Sequence, residues 1–447
     1  MSILKKIRYL LRLVSAFLEK HRRLLLLSFL IGIIFFVCLP RILLKMPREA
    51  TIQKIGLVGK YSISQLPREI LLLVGQGLTS FNENGTVVPG LVSSWEASED
   101  GKKYTFTLSE NNLWHDNTPV VAKDIDYNFS DVATAYLDNK TVEFQLKEPF
   151  SPFPGVVSKP IFKKGLIGTG NHQVSSLKRN GQIVEEMVIE PFNQRGKNKM
   201  IFRFYPTEES ARTAFKLGEI TMIKNLSRLG ELEQWKNLKI EPQVKYNRYV
   251  AIFLNTQSEK LADKSFRQAL VYALEKPWTP RAYGPIDPTS WVYNSSIKQY
   301  SQDLANARKL LESIFDPQQM PETIEIELST VPSLLPVAEK IKSDWEQISI
   351  QTKIRVINII PEDYEALLAT QEVSPDPDQY SLWHSTQPGT NLSHFQSPKI
   401  DILLEDGRKE MDKEKRKEIY IDFQRFLVEE TPAIFLFHPT LYNVSRK

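Results

Sequence analysis

The arrangement of apolar positions along the chain predicts alternating strands and helices. Tyr104, Phe106 and Leu108 alternate with Thr105 and Thr107, the period of a strand buried on one face. Asp100-Gly101 just before them is a hairpin turn signal, with Trp95 on the preceding arm. Thr141–Leu146 alternates in the same way and is stopped by Pro149, Pro152 and Pro154. Thr118-Pro119 predicts a helix from about Ala122, with Asp124 in its first turn. Residues 165–205 predict short strands and turns. Pro206–Gly218 predicts a helix with Ala211, Ala214, Phe215 and Leu217 on one face and Gly218 as its stop.

Tyr249–Asn255 is a continuous apolar run, the pattern of a strand buried on both faces. Phe266, Leu270, Ala273 and Leu274 then form a helical stripe ended by Pro277. Leu304, Ala307, Leu311 and Ile314 form another. A strand through Ile324, Ile326 and Leu328, a helix from Leu334 to Trp345 and a strand from Ile350 to Val356 follow. Two charged helices, about 398–411 and 412–429, precede a last apolar strand, Ala433–Phe437. Their charge runs read as solvated faces. Mixed order of this kind predicts α/β architecture, and a length of 447 residues predicts two to three lobes.

At the N-terminal end the pattern changes. Leu24–Leu39 holds sixteen residues without a charge, closed by Pro40 and Arg41. That is slightly short of the ~20 residues of a bilayer span but within reach once flanking arginines snorkel. No small-residue cleavage site follows, and Arg41, Lys45 and Arg48 stand where cleavage would occur. The reading is therefore a retained transmembrane anchor over residues 24–40 rather than a cleaved signal. Basic residues concentrate before the span, which places residues 1–23 in the cytoplasm and the body outside. Residues 3–18 carry the apolar stripe of an amphipathic helix suited to an anionic inner leaflet.

Charge sharpens this picture. The chain carries +4 overall, but residues 1–48 hold ten basic residues and one acidic, so the rest is net −5. An acidic body argues against a nucleic-acid partner, because phosphate binding needs a concentrated positive field. Cys38, the single cysteine, lies in the apolar run, so no intramolecular disulfide is available. Val37 before it is not the small residue that lipid attachment needs.

Enzyme chemistry finds little support. The six histidines show no metal-binding spacing. No nucleophile elbow and no Walker-type loop is present. Gly165, Gly168 and Gly170 lack the strand–loop–helix setting of a dinucleotide fingerprint. The expectation is a protein with no catalytic residue, no metal and no cofactor.

Between Val88 and Phe129 stand Pro89-Gly90-Leu91-Val92, Trp95, Asp100-Gly101, Tyr104–Leu108, Trp114, Thr118-Pro119 and Ala122-Lys123-Asp124. In this order they resemble the extracellular solute-binding family that contains the oligopeptide- and dipeptide-binding proteins of ABC importers. Gly168-Thr169-Gly170, Phe266–Leu270, Asp376-Pro377-Asp378, Trp383-His384-Ser385, Asn391 and Glu429–Ile434 extend the resemblance over about residues 65–445.

The resemblance implies an α/β, two-lobed periplasmic-binding-protein-like clamp of type II with a small extra subdomain, here with one N-terminal transmembrane helix. Lobe I would comprise 50–80, 165–245 and 430–447, the subdomain 81–164, and lobe II 246–429. Crossing strands near 247–256 and 430–438 would form the hinge. The implied function is capture of peptides or peptide-like solutes for the permease subunits of an importer. A membrane-anchored sensing receptor or scaffold is the alternative. The implied ligand residues are Trp383 and Asn391, with Asp376, Asp378, Glu372, Trp114 and His384 beside them. The sequence departs from the family at Val373, where relatives carry an aspartate for the peptide amine; Glu372 is its neighbour.

Overall fold

The computed structural model describes residues 52–193, 196–314 and 323–447, with positions 15, 18–24, 28 and 32 near the N-terminus. Among the described residues no helix is long and apolar enough to cross a membrane. Most of the expected anchor 24–40, Cys38, and most of the expected helix 3–18 lie outside the described residues.

Residues 53–193 and 200–447 are built on two mixed sheets. The first has seven strands, in the order Leu238–Val244, Thr440–Arg446, Met222–Leu226, Gln53–Val58, Met200–Tyr205, Ile183–Pro191 and His172–Asn180. Gln53–Val58 runs parallel to both neighbours. Its Ile55 and Leu57 bury one face against Ile70 and Val74 of the helix Arg68–Val74. Thr207 caps the helix Glu208–Leu217 by accepting from the Ser210 amide at 3.2 Å, and Gly218 ends it at φ +78°. The stretch expected to hold short strands instead forms two nine-residue strands, His172–Asn180 and Ile183–Pro191. Gly181, at φ +60°, makes the tight turn between them.

The second sheet has five strands, in the order Ile350–Val356, Ile324–Thr330, Ala366–Glu372, Arg248–Leu254 and Ala433–Phe437. Arg248–Leu254 explains its apolar run: alternate residues feed two different cores. Val250, Ile252 and Leu254 face one with Phe266, Ile341 and Trp345. Tyr249, Ala251 and Phe253 face the other with Trp383, Tyr420 and Phe423. Each fully buried Val, Ile, Leu or Phe here contributes about 1.5–3 kcal/mol relative to exposure.

A four-stranded antiparallel sheet, in the order Val92–Ala97, Lys103–Leu108, Thr141–Leu146 and Val132–Tyr136, has its own core of Tyr104, Phe106, Phe144 and Phe153. The helix expected from Ala122 is only a 3-10 turn, Ala122–Asp124. The Asp124 carboxylate turns back to accept from the Val121 amide at 3.0 Å and the Trp114 indole N–H at 2.9 Å. That contact fixes a corner, and the chain goes on to the strand Val132–Tyr136.

The chain passes between the two larger sheets twice, at 245–247 and at 438–439. The sequence reading placed everything from 430 onward in the first lobe. Ala433–Phe437 instead pairs with Arg248–Leu254 in the second sheet, because that apolar run buries both faces there. The two crossings lie side by side. The Lys245 amide donates to the Pro439 carbonyl at 2.9 Å, and His438 Nδ1 lies 2.8 Å from the Arg248 carbonyl.

Candidate functional site

The two crossings meet a third element, the start of the helix Arg68–Val74 in the first lobe. Pro67 precedes this helix and Glu69 stands in its first turn. Around the junction six charges gather. Arg68 and Glu69 come from that helix, Lys224 from the first sheet, Lys245 and Arg248 from the crossing, and Glu372 from the second sheet. Arg248 and Glu372 are register partners on adjacent strands, so their side chains meet across the ladder at 2.8–3.1 Å.

Burial holds Lys245 below the ordinary lysine range, with Arg248 and Lys224 adding to the shift and Glu69 and Glu372 opposing it. Burial likewise raises the Tyr61 phenol, whose hydroxyl donates to the Val58 carbonyl at 2.9 Å. The junction is thus charged, with Lys224, Lys245 and Arg248 half-buried and Arg68, Glu69 and Glu372 exposed. Phe81, at the end of the strand Thr79–Phe81, and Ser158 close one side. Arg68 Nη2 donates to Ser158 Oγ at 3.0 Å and the guanidinium lies 5.8 Å from the Phe81 ring centre. Farther out, the Arg228 guanidinium of the first lobe donates to the Ser333 carbonyl of the second.

The residues singled out from sequence fall into three places. Glu372 is at the junction, paired with Arg248, its side chain 60% exposed. Val373 beside it is buried. Asp376 and Asp378 lie in the loop after it, and each already holds an arginine. Asp376 forms a bidentate pair with Arg416 at 2.7 and 3.1 Å, both side chains almost fully buried. Burial opposes the Arg416 charge, but the Coulombic pull of Asp376 and its hydrogen bonds outweigh that and raise the pKa. Asp378 pairs with Arg408 at 2.9 Å, and Arg408 lies over the rings of Tyr380 and Phe150. The Gly407 and Arg408 carbonyls then accept from Ser151 of the subdomain. The two aspartates so brace the surface on which the subdomain rests.

Trp383, Asn391 and His384 lie behind that loop. Trp383 is buried, with ring centres 6.1 Å from Phe253 and 6.2 Å from Phe435. Its indole N–H and the buried Tyr249 hydroxyl meet no acceptor among the described residues. Asn391 is 1% exposed; its amide donates to the carbonyls of Trp383, His384 and Phe395, and its oxygen accepts from Ser393 at 3.0 Å. His384 stacks on Tyr380 at 4.0 Å, with Thr386 Oγ1 at 2.8 Å from Nδ1 and Glu405 at 3.4 Å from Nε2. Trp114 is in the subdomain core, remote in sequence and setting from these.

Arg68, Lys245 and Arg248 escaped the sequence reading. Each is an isolated basic residue at an element end, and only the fold brings them together. The one available signal was Pro67 before a helical stripe, which marks a helix start but not its neighbours. Among the described residues no group of acidic, histidine or cysteine side chains is arranged to hold a metal.

Two mixed α/β lobes, linked by paired crossings at a charged junction and carrying a small β subdomain, define a two-lobed solute-binding architecture. The model of the bacterial extracellular solute-binding proteins, family 5 Middle, matches residues 86–391. The chain belongs to that family. It is 24% identical to the dipeptide-binding protein of Escherichia coli (strain K12), over 81% of this chain and 82% of that protein. It is 26% identical to di/tripeptide-binding protein 1 of Pseudomonas aeruginosa (strain UCBPP-PA14), over 83% and 84%. Among solved structures, NikZ of Campylobacter jejuni in complex with Ni(L-His) matches with a TM-score of 0.74 at 24% identity, covering 90% of this chain and 95% of that one. The substrate-binding protein CtaP of Listeria monocytogenes matches with a TM-score of 0.75 at 22% identity, over 89% and 94%.

Proposed function

We propose that this chain is the extracytoplasmic substrate-binding component of an ABC-type importer and captures peptides or peptide-like solutes between its lobes. One observation carries the reading most directly: the lobes are joined by two adjacent crossings, at 245–247 and 438–439. A pair of short connections side by side allows a hinge motion that opens and closes the junction about one axis. The relatives named for dipeptides and di/tripeptides give the solute class. An extended peptide presents main-chain donors and acceptors that a crevice can read while water accommodates its side chains. Closure around the solute supplies the state that permease subunits recognise.

The ligand set is Glu372 with the junction around it, while Trp383, Asn391, Asp376, Asp378 and His384 shape the wall behind. Trp114 serves the subdomain core. Residues 24–40 anchor the body to the bilayer as a single-pass helix of a type II clamp protein, with residues 1–23 cytoplasmic. Phosphatase fused after Arg48 should be active only outside the membrane; activity confined to the cytosol would refute this orientation.

The capture reading is tested on the full chain in detergent with a mixed library of two- to five-residue peptides. A peptide at a hundred times its Kd should add about 2.7 kcal/mol of stability. If no peptide raises the melting temperature at millimolar concentration, peptide capture is wrong.

A further inference from the structure

We infer that the second lobe carries a site for one monatomic anion of the chloride class, in a narrow cavity ringed by Lys276, Arg281 and Lys298. The cavity is lined by second-lobe residues alone, and the inference does not depend on which solute the protein captures.

The fold brings these cations together from separate stretches of chain. After the helix Lys264–Ala273 a strap over residues 276–284 covers the outer edge of the strand Ala433–Phe437. The Ala282 amide donates to the Leu436 carbonyl at 3.3 Å, and the His438 amide to the Pro280 carbonyl at 2.8 Å. Lys298 comes from the loop ahead of the helix Leu304–Ile314. Between strap, loop and strand lies a cavity of about 20 Å³, lined by all three cations, with Tyr283, Tyr300 and Thr431 on its polar walls.

Main-chain contacts use part of this charge. Lys276 donates to the carbonyls of Val271, Leu274 and Tyr300, which takes up its three N–H groups. Arg281 donates to the Phe435 and Leu436 carbonyls, and a guanidinium with five N–H donors keeps much of its fork available beyond these. Lys298 Nζ lies 4.6 Å from the ring centre of Tyr300 and 5.5 Å from that of Tyr272.

Negative charge is what the cavity lacks. Among the described residues none of the three cations forms an ion pair, and no Asp or Glu lines the walls. Glu275, next in the chain, and Asp344, whose charge reaches Lys276, are both engaged by Lys340, at 2.8 and 2.6 Å. Lys276 and Arg281 are half-buried. Burial, aided by the Arg281 charge and opposed by Asp344, pushes the Lys276 ammonium down to about 7. Burial likewise brings Arg281 down to about 10. Like charges drawn from water toward one cavity repel, and an anion between them offsets both the repulsion and the lost hydration.

Size decides which anion. A cavity of this volume holds one water-sized particle. That admits a monatomic ion and leaves no room for a phosphate or a peptide carboxylate. Arg281 would supply N–H donors, Lys298 its ammonium from the exposed side, and Lys276 its charge. The ion would pin the strap to the strand that leads into the crossing at 438–439.

The test is thermal unfolding of the full chain in detergent, with sodium chloride exchanged for sodium gluconate at constant ionic strength. Chloride should raise the melting temperature along a saturating curve, and bromide should replace it. Lys298→Gln, at an exposed position, should move the midpoint of that curve about tenfold higher, the loss of one charge-assisted contact. Arg281→Gln should abolish the chloride effect. In crystals soaked in bromide, the anomalous signal should lie between Arg281 and Lys298. Equal melting temperatures in chloride and gluconate overturn the site, as does a chloride effect that both variants retain. Should Arg281→Gln not fold, an unchanged midpoint in Lys298→Gln overturns it. Bromide found elsewhere, with water alone in the cavity, overturns it too.

Discussion

Asp376 and Arg416 show how little of a polar pair can be read from one of its halves. Asp-Pro-Asp spacing marks a loop, but the arginine that completes it stands forty positions later on the helix Lys413–Glu430. That helix read as a solvated face, yet Arg416 is buried with its Nε on the Gly407 carbonyl. Removing one half strands the other. Asp376→Ala should destabilise the protein by about 3–5 kcal/mol in a denaturant titration. A loss below about 1 kcal/mol would mean the pair is not buried as described. Replacing both, as Asp376→Leu with Arg416→Met, should recover most of that loss. Asn391 makes a second case. Asn391→Ala removes the donor to the Trp383 and Phe395 carbonyls and the acceptor of Ser393, and should cost about 2–3 kcal/mol. If it instead abolishes ligand binding with stability unchanged, Asn391 contacts the solute directly.

Among elements, those that carry their pattern locally were legible and those defined by neighbours were not. The strand Arg248–Leu254 and the helices Glu208–Leu217, Leu304–Ile314 and Leu335–Glu346 follow the expected apolar periods closely. Ala366–Glu372 was missed: its ALLATQE has no alternation, and it is a strand because it lies between two others. The crossing at 438–439 was legible only to within several residues, since nothing in AIFLFHP says which sheet it joins. His438 stands at this crossing. Burial holds its pKa below the ordinary histidine value, against the Arg248 carbonyl and Asp287, which favour the charged form. Burial also lowers His115 and His172. In each case the unfolded chain takes up a proton at a higher pH than the fold does. Stability from these histidines is therefore full above about pH 6.5 and declines as pH falls below it. Melting temperature measured from pH 8 to pH 5 should show this decline, and His438→Asn should flatten part of it. A melting temperature that rises toward pH 5 would contradict the neutral, buried setting.

At the scale of the molecule, the two lobes touch beyond the hinge through Arg228 and the Ser333 carbonyl. The contact lies away from the two crossings. Arg228→Ala should leave the melting temperature of the free protein unchanged and raise the solute Kd about threefold, the equivalent of about 0.7 kcal/mol. A large drop in melting temperature would assign the contact to the fold instead.

The strand Thr440–Arg446 lies inside the first sheet, between Leu238–Val244 and Met222–Leu226. A ribosome has made the whole second lobe before this strand emerges. Until then the first sheet has a gap one strand in from its edge, between Leu238–Val244 and Met222–Leu226. Such late, long-range closure is slow. It also makes Thr440–Arg446 a quality gate: a polypeptide cut short before Thr440 cannot seal the lobe and is left exposed to proteases.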